Sequence, residues 1–136
     1  PISEALNLLG LNRAIVVYGS GGLDEASLEG PNQLRFIENG KVKSEVITGT
    51  DLGLSYTSNK ELRGDTLEVN TNILSSILKG SGSRPQREVV ALNTSLVLWA
   101  AGIENDLSLG VEKSLNCLES SSAWKTFSDL KNFLDS

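Results

Sequence analysis

Histidine and methionine are absent from the chain, and cysteine occurs once, at Cys117. Without imidazole there is no histidine general base, no serine-histidine-aspartate triad and no histidine-ligated metal. A single thiol excludes an internal disulfide and suits a reducing compartment, which sets the expectation of a cytoplasmic protein, or a plastid one in a plant. Lys and Arg form no run and the formal net charge is −5, so the basic footprint of a nucleic-acid binder is missing. Acidity of this size mostly serves solubility. The longest apolar stretch, residues 89–103, is interrupted by Asn93, Thr94 and Ser95. It falls short of the ~20 apolar residues that a membrane span requires, and no charged-then-apolar signal segment opens the chain. The missing methionine leaves two readings open: an initiator removed ahead of Pro1, or a piece of a longer polypeptide.

What remains is an ordinary globular composition, 136 residues with 39% hydrophobic and 21% charged. That is one domain's worth of chain, able to bury roughly 68% of its unfolded surface. Ile2, Leu6 and Leu9 at helical spacing, with Gly10 as terminator, predict a short helix over 2–10. The β-branched run at 13–19 predicts a buried strand. Over 32–48, Leu34, Phe36, Val42 and Val46 alternate with polar residues around Asn39-Gly40, which predicts a β-hairpin with a type I′ turn. Residues 48–65 are polar and turn-rich and read as a surface connection.

From Thr66 the period becomes helical. Leu67, Leu74, Ile77 and Leu78 share one face before Gly80. A second helix opens at Ser83 as cap, with Pro85 in its first turn, and is apolar nearly all round, so it should be central. Two amphipathic helices follow, carrying Val111, Leu115 and Leu118, then Trp124, Phe127, Leu130 and Phe133 or Leu134. The fold class is α/β: part of a mixed sheet with a β-hairpin, then a helical C-terminal half.

The segment "GSGGLDEASLEGP" (19–31) holds the candidate site. Asp24 and Glu25 are adjacent carboxylates, which repel unless solvent or a cation screens them. A glycine-relaxed turn can aim both at one point, and hard cations such as Mg²⁺ take carboxylate oxygens while bridging to phosphate. The other reading is a solvated turn or the first turn of a helix. The glycines of "GSGG" match neither the dinucleotide fingerprint, since Asp24 stands where glycine is needed, nor a P-loop; a flexible turn is the plainer account. Asn70 and Asn93 fall on apolar helix faces and should tie helix to neighbouring loop, because an unpaired buried amide costs about 1–3 kcal/mol. Arg84 and Arg87, beside glycines, read as a solvated loop before they read as a phosphate contact. Cys117 is expected in the core, and Trp99 and Trp124 as packing.

In order along the chain, "LLGLNRAIVVYGSGGLDEASLEGP", "TDLGL", "ELRGD" followed by Asn70, "ILKGSGSRPQREVVALNTSLVLWAAG" and the closing helices resemble the anthranilate phosphoribosyltransferases. The resemblance covers essentially all 136 residues and rests on the ordered set. It implies a nucleoside phosphorylase/phosphoribosyltransferase-like C-terminal domain fragment, residues 1–136 being the C-terminal portion of the α/β domain. It also implies a transferase of tryptophan biosynthesis: the amine of anthranilate displaces pyrophosphate from C1 of phosphoribosyl pyrophosphate. By the Gly-Leu-Asp-Glu match, Asp24 and Glu25 are expected to bind magnesium, the implied cofactor.

Departures are specific. Tyr18 stands where the family usually has histidine, the single Gly64 precedes Asp65 where the family commonly has two glycines, and Asn70-Thr71 and Asn93-Thr94 replace Asn-Ala pairs. The family's glycine-rich phosphoribosyl pyrophosphate loop, its Lys-His-Gly-Asn segment, its anthranilate-binding arginine and its helical dimerisation domain precede the region matched. The expectation is therefore a fragment without catalytic residues of its own and inactive alone, whose full-length form is a homodimer that binds both substrates, with no membrane or nucleic-acid partner. The alternative is a non-catalytic scaffold or nucleic-acid-binding member of the same fold. A nucleoside phosphorylase relative fits the Gly-Leu-Asp-Glu turn and hairpin less well.

Overall fold

The computed structural model describes all residues, 1–136. Its elements run α1 (Ile2–Leu8), β1 (Arg13–Tyr18), β2 (Asn32–Glu38), β3 (Lys41–Ile47), a 3-10 turn (Gly49–Leu52), α2 (Leu67–Leu78), α3 (Arg84–Ala100), α4 (Leu107–Glu119) and α5 (Ser122–Leu134). The α/β class and the hairpin are as expected. The strands lie in the order β1-β2-β3, and both pairings within these residues are antiparallel. Asn39 (φ 50°) and Gly40 (φ 77°) close the hairpin in the left-handed region that a type I′ turn demands.

Register assigns the faces. Ile15 pairs with Phe36 and Val17 with Leu34, so these side chains share one face of the sheet. Helix α3 supplies Ala91, Leu92, Leu96 and Trp99 to the same buried cluster as Leu34 and Phe36. The Trp99 ring meets Phe36 edge-on, with centroids 4.8 Å apart at 75°, and the Arg13 guanidinium lies 4.0 Å from the Trp99 centroid on the indole face. Such an aromatic pair contributes about 0.5–1.5 kcal/mol beyond its buried area. Ile37, fully buried, points to the opposite face, the one that α1 packs against.

Sequence expectation and structure part at several places. Val42 opposes Ile37 and Val46 opposes Gln33, so both face the α1 side, where a seven-residue helix is too short to cover them; they stay exposed. Strand β1 is half-buried as an edge strand, with β2 as its partner on one side. Cys117 is exposed, and the expected core position is corrected. The buried stripe of α4 is Gly110, Val111, Ser114 and Leu118. Glycine takes its place in that stripe because α3 crosses closely there: a Cβ on Gly110 would sit 2.9 Å from the Ser95 Cβ.

Helix α3 begins as expected. The Ser83 hydroxyl accepts from the Gln86 N–H while Gln86 reaches back to the Ser83 N–H, with proline in the first turn. Its outer face is less buried than its composition implies, Val97 being 65% exposed. Between α3 and α4, Glu104 takes an ammonium hydrogen bond from Lys113 at 2.6 Å, which holds its carboxyl down to about 2. The 48–65 connection is not wholly superficial, since Leu54 and Thr57 are buried.

Candidate functional site

Strand β1 ends at Tyr18, and the chain folds back at once. The Gly19 N–H donates to the Leu23 carbonyl at 2.8 Å, and the Gly22 N–H to the Gly19 carbonyl at 3.1 Å. A Cβ on Gly19 would overlap the Glu25 carbonyl oxygen. This position therefore requires glycine for a close backbone approach. The expected flexible turn is instead tightly built.

Three asparagines fasten the backbone beyond this fold. Asn32, fully buried at the start of β2, accepts from the Ser27 N–H at 2.7 Å and the Ser20 N–H at 3.3 Å. Its amide donates to the carbonyls of Ser27, Gly30 and Ile47. Asn59, from the 48–65 connection, accepts from the Ser27 hydroxyl at 2.6 Å and donates to the Ser20 carbonyl at 3.1 Å. Its own N–H donates to the Glu29 carboxylate at 3.0 Å. Asn93, midway along α3, accepts from the Ala26 N–H and donates to the Ala26 carbonyl, both at 2.9 Å. Ala26, Ser27 and Leu28 are consequently buried. The loop carrying Asn59 is itself anchored by Glu88, a buried carboxylate that accepts from the Ser55 N–H at 2.9 Å and from Arg84 at 2.6 Å.

Asp24 and Glu25 stand between the glycine fold and these clamps, both exposed. The chain's ion pairs and side-chain hydrogen bonds engage neither carboxylate, and no third acidic, histidine or cysteine group joins them as a metal cluster. Glu25 borders two cavities. One, of about 690 Å³, is walled by Leu23, Leu62, Val89 and Val97, with Arg63 at its edge. The other, of about 310 Å³, also takes Asp24 and is floored by Ile15, Val17 and Leu96. Two unengaged carboxylates on a fixed backbone fit a hard divalent cation whose remaining positions go to water and to a ligand's oxygens.

The other sequence candidates settle elsewhere. Arg84 is taken up by Glu88, and Arg87 pairs with Glu119 at 3.5 Å. Asn70 ties its helix to the loop as expected, accepting from the Asp65 N–H at 3.0 Å and donating to its carbonyl at 3.3 Å, although it is exposed. Asn93 does so from a half-buried position. Asn32, Asn59 and Glu88 went unnoticed in the sequence. Asn32 looked like one more polar residue of an alternating strand, and only its place directly after Gly30-Pro31 hinted at a turn anchor.

Residues 1–124 match the model of the glycosyl transferase family, a/b domain. The chain is 52% identical over 134 residues to the anthranilate phosphoribosyltransferase of Prochlorococcus marinus strain NATL2A, covering 98% of this chain and 39% of that protein. With the Synechococcus sp. strain CC9311 enzyme of the same name it shares 50% over 135 residues, covering 99% and 39%. Among solved structures, the anthranilate phosphoribosyltransferase of Thermus thermophilus superposes on the whole chain with a TM-score of 0.90 at 31% identity, using 40% of that chain. The Saccharomyces cerevisiae enzyme in complex with PRPP and Mg shares the fold at a TM-score of 0.74 and 22% identity, covering 85% of this chain and 33% of that one. The chain thus spans about two fifths of the length of the curated relatives it matches.

Proposed function

The chain belongs to the glycosyl transferase family through its a/b domain, and from that premise we propose that it is the C-terminal portion of an anthranilate phosphoribosyltransferase in which Asp24 and Glu25 bind magnesium. The observation that carries the reading is the pair itself: two adjacent carboxylates, used by no other group of the chain, held on a turn locked by glycine packing and asparagine clamps. That order has no evident purpose in a merely solvated turn. Identity near 50% to enzymes of that name supports the choice of reaction.

The division of labour follows from which groups are present. Asp24 and Glu25 bind and orient, and the clamps fix the backbone from which the two carboxylates project. When bound, the magnesium ion supplies positive charge to the departing pyrophosphate. The remainder of the enzyme, outside these residues, contributes the phosphoribosyl pyrophosphate loop, the contacts to anthranilate and the dimer interface. No helix here is long and apolar enough to cross a membrane. The cytoplasm is the compartment of this reading, because an exposed lone thiol at Cys117 stays reduced there.

The test is a chimera in which this chain replaces the segment it matches in the Prochlorococcus marinus NATL2A enzyme. Turnover is followed by loss of anthranilate fluorescence in the presence of phosphoribosyl pyrophosphate and Mg²⁺. The reading expects an active chimera and no turnover by the 136-residue chain alone. A folded but inactive chimera beside an active parent counts against it, as does robust turnover by the isolated chain.

A further inference from the structure

We infer that Asn93 is a positioning residue for the carboxylate pair: by clamping the peptide groups of Ala26 to helix α3 it holds Glu25 beside Asp24 in a metal-ready arrangement. The inference rests on the reading of Asp24 and Glu25 as a magnesium half-site, and adds to it a residue that touches neither metal nor substrate.

Three observations carry it. First, the amide of Asn93 is fully committed. Its oxygen accepts from the Ala26 N–H at 2.9 Å, and its nitrogen donates to the Ala26 carbonyl at 2.9 Å and to the Val89 carbonyl at 3.0 Å. A flipped amide would set donor against donor at the Ala26 N–H, so the bonds admit one orientation. Second, the clamp ends on a rigid support, because Ala91 and Leu92 beside Asn93 are completely buried. Third, the Glu25 peptide is blocked from the other side, its carbonyl packing where Gly19 has no Cβ. Glu25 is therefore gripped between Gly19 and the Ala26–Asn93 clamp. Asn93 also borders both cavities that Glu25 borders, so the support lies within the site.

The physical need is electrostatic. Neighbouring carboxylates repel, and a loose turn would relax by swinging them apart, to be drawn together again only when a cation binds. A backbone fixed beforehand avoids that ordering cost, which is how outer groups tune metal affinity without touching the ion. Asn70 supplies an internal control. It makes the same two-point clamp on Asp65, at 3.0 and 3.3 Å, on the loop before α2.

The experiment uses Mn²⁺ as a paramagnetic stand-in, titrated into the full-length chimera with this chain's segment ¹⁵N-labelled while amide signals are followed by NMR. In the unmodified chimera, broadening should centre on residues 24–26 and disappear in the Asp24→Asn, Glu25→Gln double variant. Asn93→Ala should keep its amide spectrum outside the turn and lose exchange protection at the Ala26 N–H. Its Mn²⁺ midpoint should rise about tenfold. Asn70→Ala should leave that midpoint unchanged. If Asn93→Ala does not fold, Asn93→Ser, which retains a hydroxyl for the Val89 carbonyl, carries the same expectation. An unchanged midpoint in a folded Asn93 variant overturns the inference alone, and so does an equal rise in Asn70→Ala. Absence of turn-centred broadening in the unmodified chimera, or its survival in the double variant, removes the magnesium assignment and the role of Asn93 with it.

Discussion

Between Gly19 and Pro31 the backbone is fastened at point after point by side-chain amides, whereas helix α5 runs 13 residues without burying one. The turn is poor in large apolar residues and the helix is rich in them. Phe127, Leu130, Phe133 and Leu134 of α5 are all exposed. Trp124 is the exception, half-buried under the Lys79 ammonium at 4.2 Å from its ring centroid and stacked on Phe127 at 5.5 Å. Apolar periodicity shows that a helix will form and which stripe it would bury; it does not supply the surface that covers the stripe. Order in the turn comes from directional bonds instead, and their partners lie up to 67 residues away in sequence.

The contrast breaks most readily at its strongest point. Asn32→Ala deletes five hydrogen bonds and orphans buried backbone groups. Urea unfolding should record a loss of about 3 kcal/mol. A loss below about 0.5 kcal/mol, within the range of ordinary surface substitutions, would mean that the amide bonds do not fasten the turn. Gly19→Ala comes next, at about 2 kcal/mol, because the new methyl collides with the Glu25 carbonyl and the turn must shift. Chemical-shift changes in that variant should concentrate on residues 19–27; changes spread evenly over the chain would contradict local crowding.

The helix side of the comparison carries smaller numbers. Trp124→Ala removes the cation contact and the ring stack, and thermal unfolding should register about 1 kcal/mol. Phe133→Ala, at a side chain 75% exposed, should stay within about 0.5 kcal/mol. A loss at Phe133 as large as that at Asn32 would show that α5 is buried in solution by something outside these residues, and the contrast would dissolve.

Legibility in the sequence divides along the same line. The hairpin was readable because Asn39-Gly40 and the alternation around it are local signals. So was α3, whose Ser83 cap and proline announce its start. The Asp24-Glu25 pair was visible as an oddity, and Asn93 as an amide on an apolar helix face. What escaped was tertiary. Asn32 and Asn59 find their partners only after the sheet and the 48–65 connection have folded onto the turn. Val42 and Val46 belong to a face that α1 leaves open, and pattern alone does not say how much of a face its neighbour covers. Cys117 lies off the buried stripe of α4, which runs through Gly110, Val111, Ser114 and Leu118, and its apolar neighbours in sequence did not show that offset.

The most direct test of the central claim is the magnesium dependence of turnover in the chimera carrying Asp24→Asn and Glu25→Gln. These replacements keep shape and remove charge. The account predicts that turnover at saturating phosphoribosyl pyrophosphate falls at least about 100-fold, with more Mg²⁺ needed to reach half its remaining rate. Unaltered turnover with an unaltered Mg²⁺ requirement would contradict it and leave the carboxylate pair as a solvated turn on an otherwise well-fastened scaffold.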